Sequence, residues 1–162
     1  LAPPIVMVSI EEWNQIADRA LRFALTISPD VVGLHLADLS GPDEGKGYNE
    51  ELCSRWRRNV VEPALNAGLP PPRLVVRPAQ YRAIHEPVLR LARELELEHP
   101  DRTIAVLVPE LIKERWFQRL LHTHRARRLR RALLRFGGTR LTVVNVPWYL
   151  EEKKLPEPVM PR

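Results

Sequence analysis

The sequence predicts an α/β fold, a doubly wound five-stranded parallel sheet, on two observations. Five runs rich in β-branched and other apolar residues recur along the chain, and most are continuous rather than alternating, as in strands covered on both faces. Between them lie longer stretches whose apolar residues recur at helical spacing, giving the order β-α-β-α-β-α-β-α-β.

The first strand is expected over 4–10 (PIVMVSI). A helix over 11–28 puts Trp13, Ile16, Ala17, Ala20, Leu21, Ala24 and Leu25 on one stripe, with Glu11 and Glu12 in a first turn where carboxylates complement the helix dipole. The second strand covers 30–38 (DVVGLHLAD), and the stretch SGPDEGKG, 40–47, reads as a mobile surface loop because it has no apolar anchor. A helix over 49–67 carries Leu52, Trp56, Val60 and Leu65 and ends at Gly68. After Pro70–Pro72 comes strand three, 73–77 (RLVVR). The helical stretch 80–99 holds Ile84, Val88, Leu91, Ala92 and Leu95, and Pro87 inside it predicts a kink or a late start. Strands four and five are expected over 102–109 (RTIAVLVP) and 139–147 (TRLTVVNVP). A chain of 162 residues suits one core, expected over 1–150, with 151–162 as an extended or disordered tail.

Several function classes fall away. The single cysteine, Cys53, excludes an internal disulfide framework and fits a reducing compartment. No apolar run is long enough to cross a bilayer, no signal segment opens the chain, and a start at Leu1 reads as a piece of a longer protein. Walker loops, Gly-x-Ser-x-Gly and an obvious carboxylate pair are all missing, so no catalytic site is expected. His122 and His124 are two apart and fall on different helix faces, and no Cys-x2-Cys accompanies them, so no metal site is expected either. His35 reads as a core or edge histidine of the second strand.

The charge pattern carries more. Lys113 to Arg135 holds nine Lys and Arg against one acid, Glu114; this segment carries +8 of a net +5, and the remainder carries −3. Such a patch meets an anionic partner or is a solvated arginine face. Ile112, Trp116, Phe117, Leu120 and Leu121 fall on one half of the helical wheel, and Ala126, Leu129, Ala132, Leu133 and Phe136 on the other. That switch predicts two helices broken near His122–Thr123, with Thr123 capping the second. Arg125 and Arg128 would then lie near a helix start, where guanidiniums and free N–H groups hold an anion together, while Arg127, Arg130 and Arg131 face solvent.

In open α/β sheets ligands bind beyond the carboxyl ends of the strands, where strand order reverses. This makes Ser9, at the end of strand one, and Pro109 and Glu110, at the end of strand four, ligand-binding candidates, with Trp116 available to stack. The stretch RPAQYRAIHEP, 77–87, adds Arg77, Tyr81 and Arg82. An aromatic beside two guanidiniums stacks a base and holds a phosphate, or Tyr81 packs beneath the helix and the arginines are solvated.

The stretches PPIVMVSI, ISPDVVGLHLAD, VVRPAQYRAIHEPVLR, VPELIKERWFQRLLH with the Arg/Leu helix after it, and TVVNVPWYL together resemble the universal stress protein fold. They resemble more closely the cytosolic C-terminal domain of bacterial permeases of the amino acid–polyamine–organocation superfamily, a group that includes potassium importers. The resemblance implies strand order 3-2-1-4-5, a permease domain in the same polypeptide, a homodimer and a non-enzymatic regulatory role at the cytoplasmic side of the membrane. In the potassium importers it implies a sensor of cyclic di-AMP. ATP-binding universal stress proteins carry Gly-x2-Gly-x9-Gly-Ser/Thr after strand four. Here that spacing lands on Pro109, Ile112, His122 and Thr123, so position and not glycine is kept, and strand one ends VSIEEW without the usual Asp.

The reading that follows is a regulatory domain of an amino acid or cation permease that binds cyclic di-AMP, ATP or AMP, with no other cofactor. The alternative is a structural membrane-apposed or dimerisation module without a soluble ligand. Nucleic acid is not an expected partner, because aromatic content is only 6% and the rest of the chain is acidic.

Overall fold

The computed structural model describes residues 2–10, 13–38, 44–79, 85–112 and 119–149, with the side chains of 38, 44–49, 79, 109–112, 119–127 and 147–149 outside that description. The strands are β1 (Ile5–Ile10), β2 (Val31–Asp38), β3 (Arg73–Ala79), β4 (Ile104–Ile112) and β5 (Leu141–Tyr149). The helices are α1 (Gln15–Ile27), α2 (Glu44–Trp56), α3 (Glu62–Asn66), α4 (His85–Glu98) and α5 (Arg119–Phe136). The sheet has order β3-β2-β1-β4-β5 and every pairing is parallel, the doubly wound arrangement that the sequence predicts.

Alternation along the strands feeds two cores. Met7, Leu34 and Val106 point to one face, where they pack with Val88, Leu91 and Leu95 of α4 and Leu129 and Leu133 of α5. Val6, Val8, Ala105 and Leu107 point to the other, against Ala17, Leu21 and Ala24 of α1 and Leu52 and Trp56 of α2. Each leucine or valine side chain so buried contributes roughly 1.5–3 kcal/mol. Gly33 of β2 is part of this second core. A Cβ there would lie 2.6 Å from the Trp56 ring, so only glycine lets the indole rest on the sheet, edge-on to Trp13 at 6.2 Å.

Several boundaries differ from expectation, each for a local reason. The first helix starts at Gln15, not at 11, because the Asn14 side chain caps it, accepting from the N–H groups of Ile16 and Ala17 at 3.0 Å each. Glu11 and Glu12 lie outside the described residues. The stretch expected as a loop over 40–47 is helical from Glu44 onward, and 40–43 lie outside the described residues.

The helix expected over 49–67 is a longer arm, α2 then α3, joined by a π-helical turn at Arg57–Val61. Pro63 explains the turn. It has no N–H to donate and its ring would crowd the carbonyl four residues back, so the backbone widens just ahead of it, and the Glu62 N–H reaches Arg57 O. The arm closes with Gly68 at φ 68°; Leu69 N–H donates to Ala64 O and Gly68 N–H to Leu65 O, the bond pair of a Schellman stop.

Pro87 does not kink the helix within its described part, and the expected start over 80–84 lies outside the described residues. α4 is described over His85–Glu98, with Pro87 its third described residue, near enough to the start that a missing N–H costs little. α5 is a single helix from Arg119 to Phe136, against the expected break at His122–Thr123. No Gly or Pro interrupts it, and Leu, Ala and Arg are all strong helix formers, so the apolar stripe shifts without the helix stopping.

Candidate functional site

The strand order reverses between β1 and β4, and their pairing ends early there. The β1–β4 pairing runs from Ile5↔Ile104 to Val8↔Leu107, and among the described residues it goes no further. β1 continues two residues, Ser9 and Ile10, paired only with Leu34 and His35 of β2. β4 continues five, Val108 to Ile112, paired with Asn145 to Tyr149 of β5. The hydrogen-bonded pairing of the two central strands therefore ends at the carboxyl edge, at the switch point where doubly wound sheets form their ligand crevice.

Pro109 accounts for the early end of the pairing. Ile104 N–H donates to Arg140 O on the β5 side and Ile5 N–H donates to Thr103 O, each at 2.9 Å. Backbone polar groups alternate sides along a strand, so odd-numbered residues of β4 address β1 and even-numbered ones address β5. Position 109 is odd. Its N–H would have continued the ladder to the Ser9 carbonyl, and proline has none.

The β1 side of the crevice is held from behind. His35 is 2% exposed, and its Nδ1 donates to the Ile10 carbonyl at 2.9 Å, fixing the last residue of β1. The start of α1 also belongs to this edge. Its N-terminal N–H groups are engaged by Asn14, and Asp18 in its first turn pairs with Arg22, whose own pKa rises through the hydrogen bond and charge of Asp18. That helix start is capped and acidic, and does not recruit an anion. The cationic element that follows β4 is α5, with seven arginines and no acid, of which Arg119, Arg125 and Arg127 belong to the half nearer this edge.

The sequence-predicted residues divide accordingly. Ser9, Pro109 and Glu110 fall at this edge as strand residues, Ser9 and Pro109 as expected and Glu110 one residue past the expected end of strand four: Pro109 pairs with Val146 and Glu110 with Pro147. Ile112 pairs with Tyr149, so two positions of the glycine spacing lie in regular strand backbone and no loop of cradling N–H groups forms there. His122, Thr123 and Arg125 are interior positions of α5. Thr123 is therefore not a helix cap, because its amide lies within the helix rather than before it.

Arg128 is exposed and nine residues into α5, about 14 Å along the axis from the helix start, so it does not flank a terminus. Arg77 belongs to β3, an outer strand separated from the crevice by β2 and β1, and its guanidinium is held by Glu94 of α4 at 2.7 Å. Tyr81, Arg82 and Trp116 lie outside the described residues. Asn14 and the link from His35 to Ile10 were not anticipated. Asn ahead of an apolar-periodic run was a readable signal for the cap; the histidine's partner, 25 residues away, leaves no local signature.

Among the described residues no group of His, Cys, Asp and Glu is placed to hold a metal, and no helix is long and apolar enough to cross a membrane. Cys53 is free and exposed.

Comparison with known proteins gives three findings. No curated protein matches the chain. Among solved structures, a protein from the universal stress protein family from Burkholderia pseudomallei aligns over 89% of this chain and 96% of its own, at 20% identity and a TM-score of 0.48. Among families, the model of the KimA potassium transporter C-terminal domain matches residues 3–148. That match spans all five strands and both cores, and the chain belongs to the KimA potassium transporter C-terminal domain family.

Proposed function

We propose that this domain is a non-enzymatic regulator of a potassium transporter. It would sit at the cytoplasmic side of the membrane, in the same polypeptide as the permease domain, and work as a homodimer. Its ligand is an anionic adenine nucleotide, cyclic di-AMP or ATP/AMP, taken at the opening between β1 and β4. The observation that carries this reading is the end of the central pairing after Val8↔Leu107, at the switch point where doubly wound sheets bind ligands. The arginine content of α5, the helix that follows β4, supplies the matching charge. A regulator must bind its ligand differently in two states, and two copies joined across this edge would provide them.

The test is calorimetric titration of the 162-residue chain with cyclic di-AMP, ATP and AMP at fixed salt, beside Ser9→Trp, which fills the crevice mouth. Saturable heat from one ligand, weakened about 10-fold or more in the variant, a loss of about 1.4 kcal/mol, is the expected result. Absence of heat from all three sinks the sensor reading. It would favour a dimerisation module without a soluble ligand, a reading supported by the strand backbone at Pro109 and Ile112 where nucleotide binders use a glycine loop.

A further inference from the structure

The opposite edge of the sheet has properties that the nucleotide reading leaves unused. In a parallel sheet the crossover helices run back toward the strand starts, so their last turns meet at the amino edge. The exposed large apolar side chains concentrate there: Leu25 near the end of α1, Leu69 before β3, Leu97 at the end of α4, and Leu134 and Phe136 at the end of α5. Leu134 is 71% exposed and Phe136 51%.

On α5 these two sit among arginines. Arg130, Arg131, Leu134 and Arg135 share one face of the helix. The Arg135 guanidinium lies 5.4 Å from the centre of the Phe136 ring. Arg22, Arg55, Arg57, Arg77, Arg90 and Arg102 are each ion-paired, but among the described residues no carboxylate pairs with Arg128, Arg130, Arg131 or Arg135. Of the acids at this edge, Asp30 is bound by Arg102, Glu98 ends α4 and Asp101 follows it, and Glu96 lies beside Gly138, just past the end of α5.

The amino edge is also where the chain enters. Arg102 donates from Nε to Pro3 O at 2.9 Å and from a terminal nitrogen to Pro4 O at 3.4 Å, pinning the lead-in to β1 against the sheet.

We propose that the last two turns of α5 form a docking surface for an anionic membrane, with Arg130, Arg131 and Arg135 against lipid phosphates and Leu134 and Phe136 at the headgroup boundary. A C-terminal domain of a transporter follows the membrane part of its polypeptide, so the pinned lead-in turns this edge toward the bilayer. Unneutralised arginines mixed with single apolar side chains fit a fluid, negatively charged interface, which gains from each cation near its surface. The surface is separate from the β1–β4 crevice, which lies at the other end of the strands, and the proposal stands without a nucleotide.

The test is co-sedimentation of the 162-residue chain with vesicles of phosphatidylcholine containing phosphatidylserine, and with vesicles of phosphatidylcholine alone, in nucleotide-free buffer. Binding to the anionic vesicles only, lost between about 0.05 and 0.5 M salt, is expected. Each arginine is worth about 5-fold, so R130Q/R131Q/R135Q lowers the partition coefficient about 100-fold. Leu134→Ser/Phe136→Ser lowers it about 10-fold, and Arg55→Gln, away from this edge, leaves it unchanged. The substituted side chains are exposed, and an unaltered melting curve confirms that each variant folds. Equal binding to both vesicle types, no binding at low salt, or a triple variant that binds like the parent overturns the proposal. So does a triple variant that turns a dimer into a monomer in sedimentation equilibrium while still binding vesicles, which would give this face to a second copy of the chain.

Discussion

The two edges of this sheet are built on opposite principles. At the amino edge two arginines act as staples. Arg102 ties Pro3 and Pro4 to Asp30, and Arg140 donates to His99 O at 3.0 Å and Glu96 O at 2.8 Å, joining the start of β5 to the end of α4. At the carboxyl edge the central ladder stops at Val8↔Leu107, and the outer pair β4–β5 runs on alone. The difference separates anchoring from access. One edge has its loops cross-linked through backbone carbonyls, which hold their geometry regardless of side-chain identity. The other gives up central hydrogen bonds and thereby leaves a place for something else to bind.

If the amino edge owes its order to the staples, cutting one should hurt most. Arg102→Met is expected to cost about 2–3 kcal/mol and lower the melting temperature by about 5–10 °C. The side chain is 13% exposed, but Asp30 is 51% exposed, so most of the loss belongs to the carbonyl bonds rather than the ion pair. Asp30→Asn should therefore cost well under half as much, and parity between the two variants in thermal melts would refute that division. A smaller effect is expected at the other edge, where Asn14→Ala removes two cap bonds and about 1 kcal/mol, read as a shift of the urea midpoint at constant slope. The smallest change is the most pointed. Pro109→Ala restores an N–H facing the Ser9 carbonyl and should stabilise by about 0.5 kcal/mol, while hydrogen exchange at the new amide slows at least about 10-fold relative to an open strand edge. Free exchange at residue 109 would show that the proline is not what ends the β1–β4 pairing.

The strands were legible because burial on both faces demands continuous apolar runs, and β1 carries one: four of its six residues are buried consecutively from Ile5 to Val8. The carboxyl ends of β1 and β2 were legible too, but those of β3, β4 and β5 were not. Val108 to Ile112 mixes Pro and Glu with apolar residues, so its strand character rests on pairing with β5, more than 30 residues away, rather than on composition. α5 misled for a related reason. A shift in the apolar stripe looks like a break when a helix is imagined against one partner, but α5 runs unbroken from Arg119, and Leu129 and Leu133 bury in the α4 side of the core. At the site, position was easier to read than engagement. Ser9 and Pro109 could be placed at the switch point from strand order alone, whereas the capture of Arg77 by Glu94, 17 residues on, depends on how α4 lies across β3.

The strand order also sets a clock on synthesis. β2 and β3 assemble on one flank of β1 as the first half of the chain emerges, but the other flank must wait for a partner that begins at Ile104, 99 residues after Ile5. At ordinary translation rates that is a delay of about 5–20 s, during which the central strand of the finished protein is an open edge, apolar but for Ser9. The fold's most buried element is thus its most vulnerable one at birth, and slow codons between β3 and β4 would lengthen the exposure rather than aid folding.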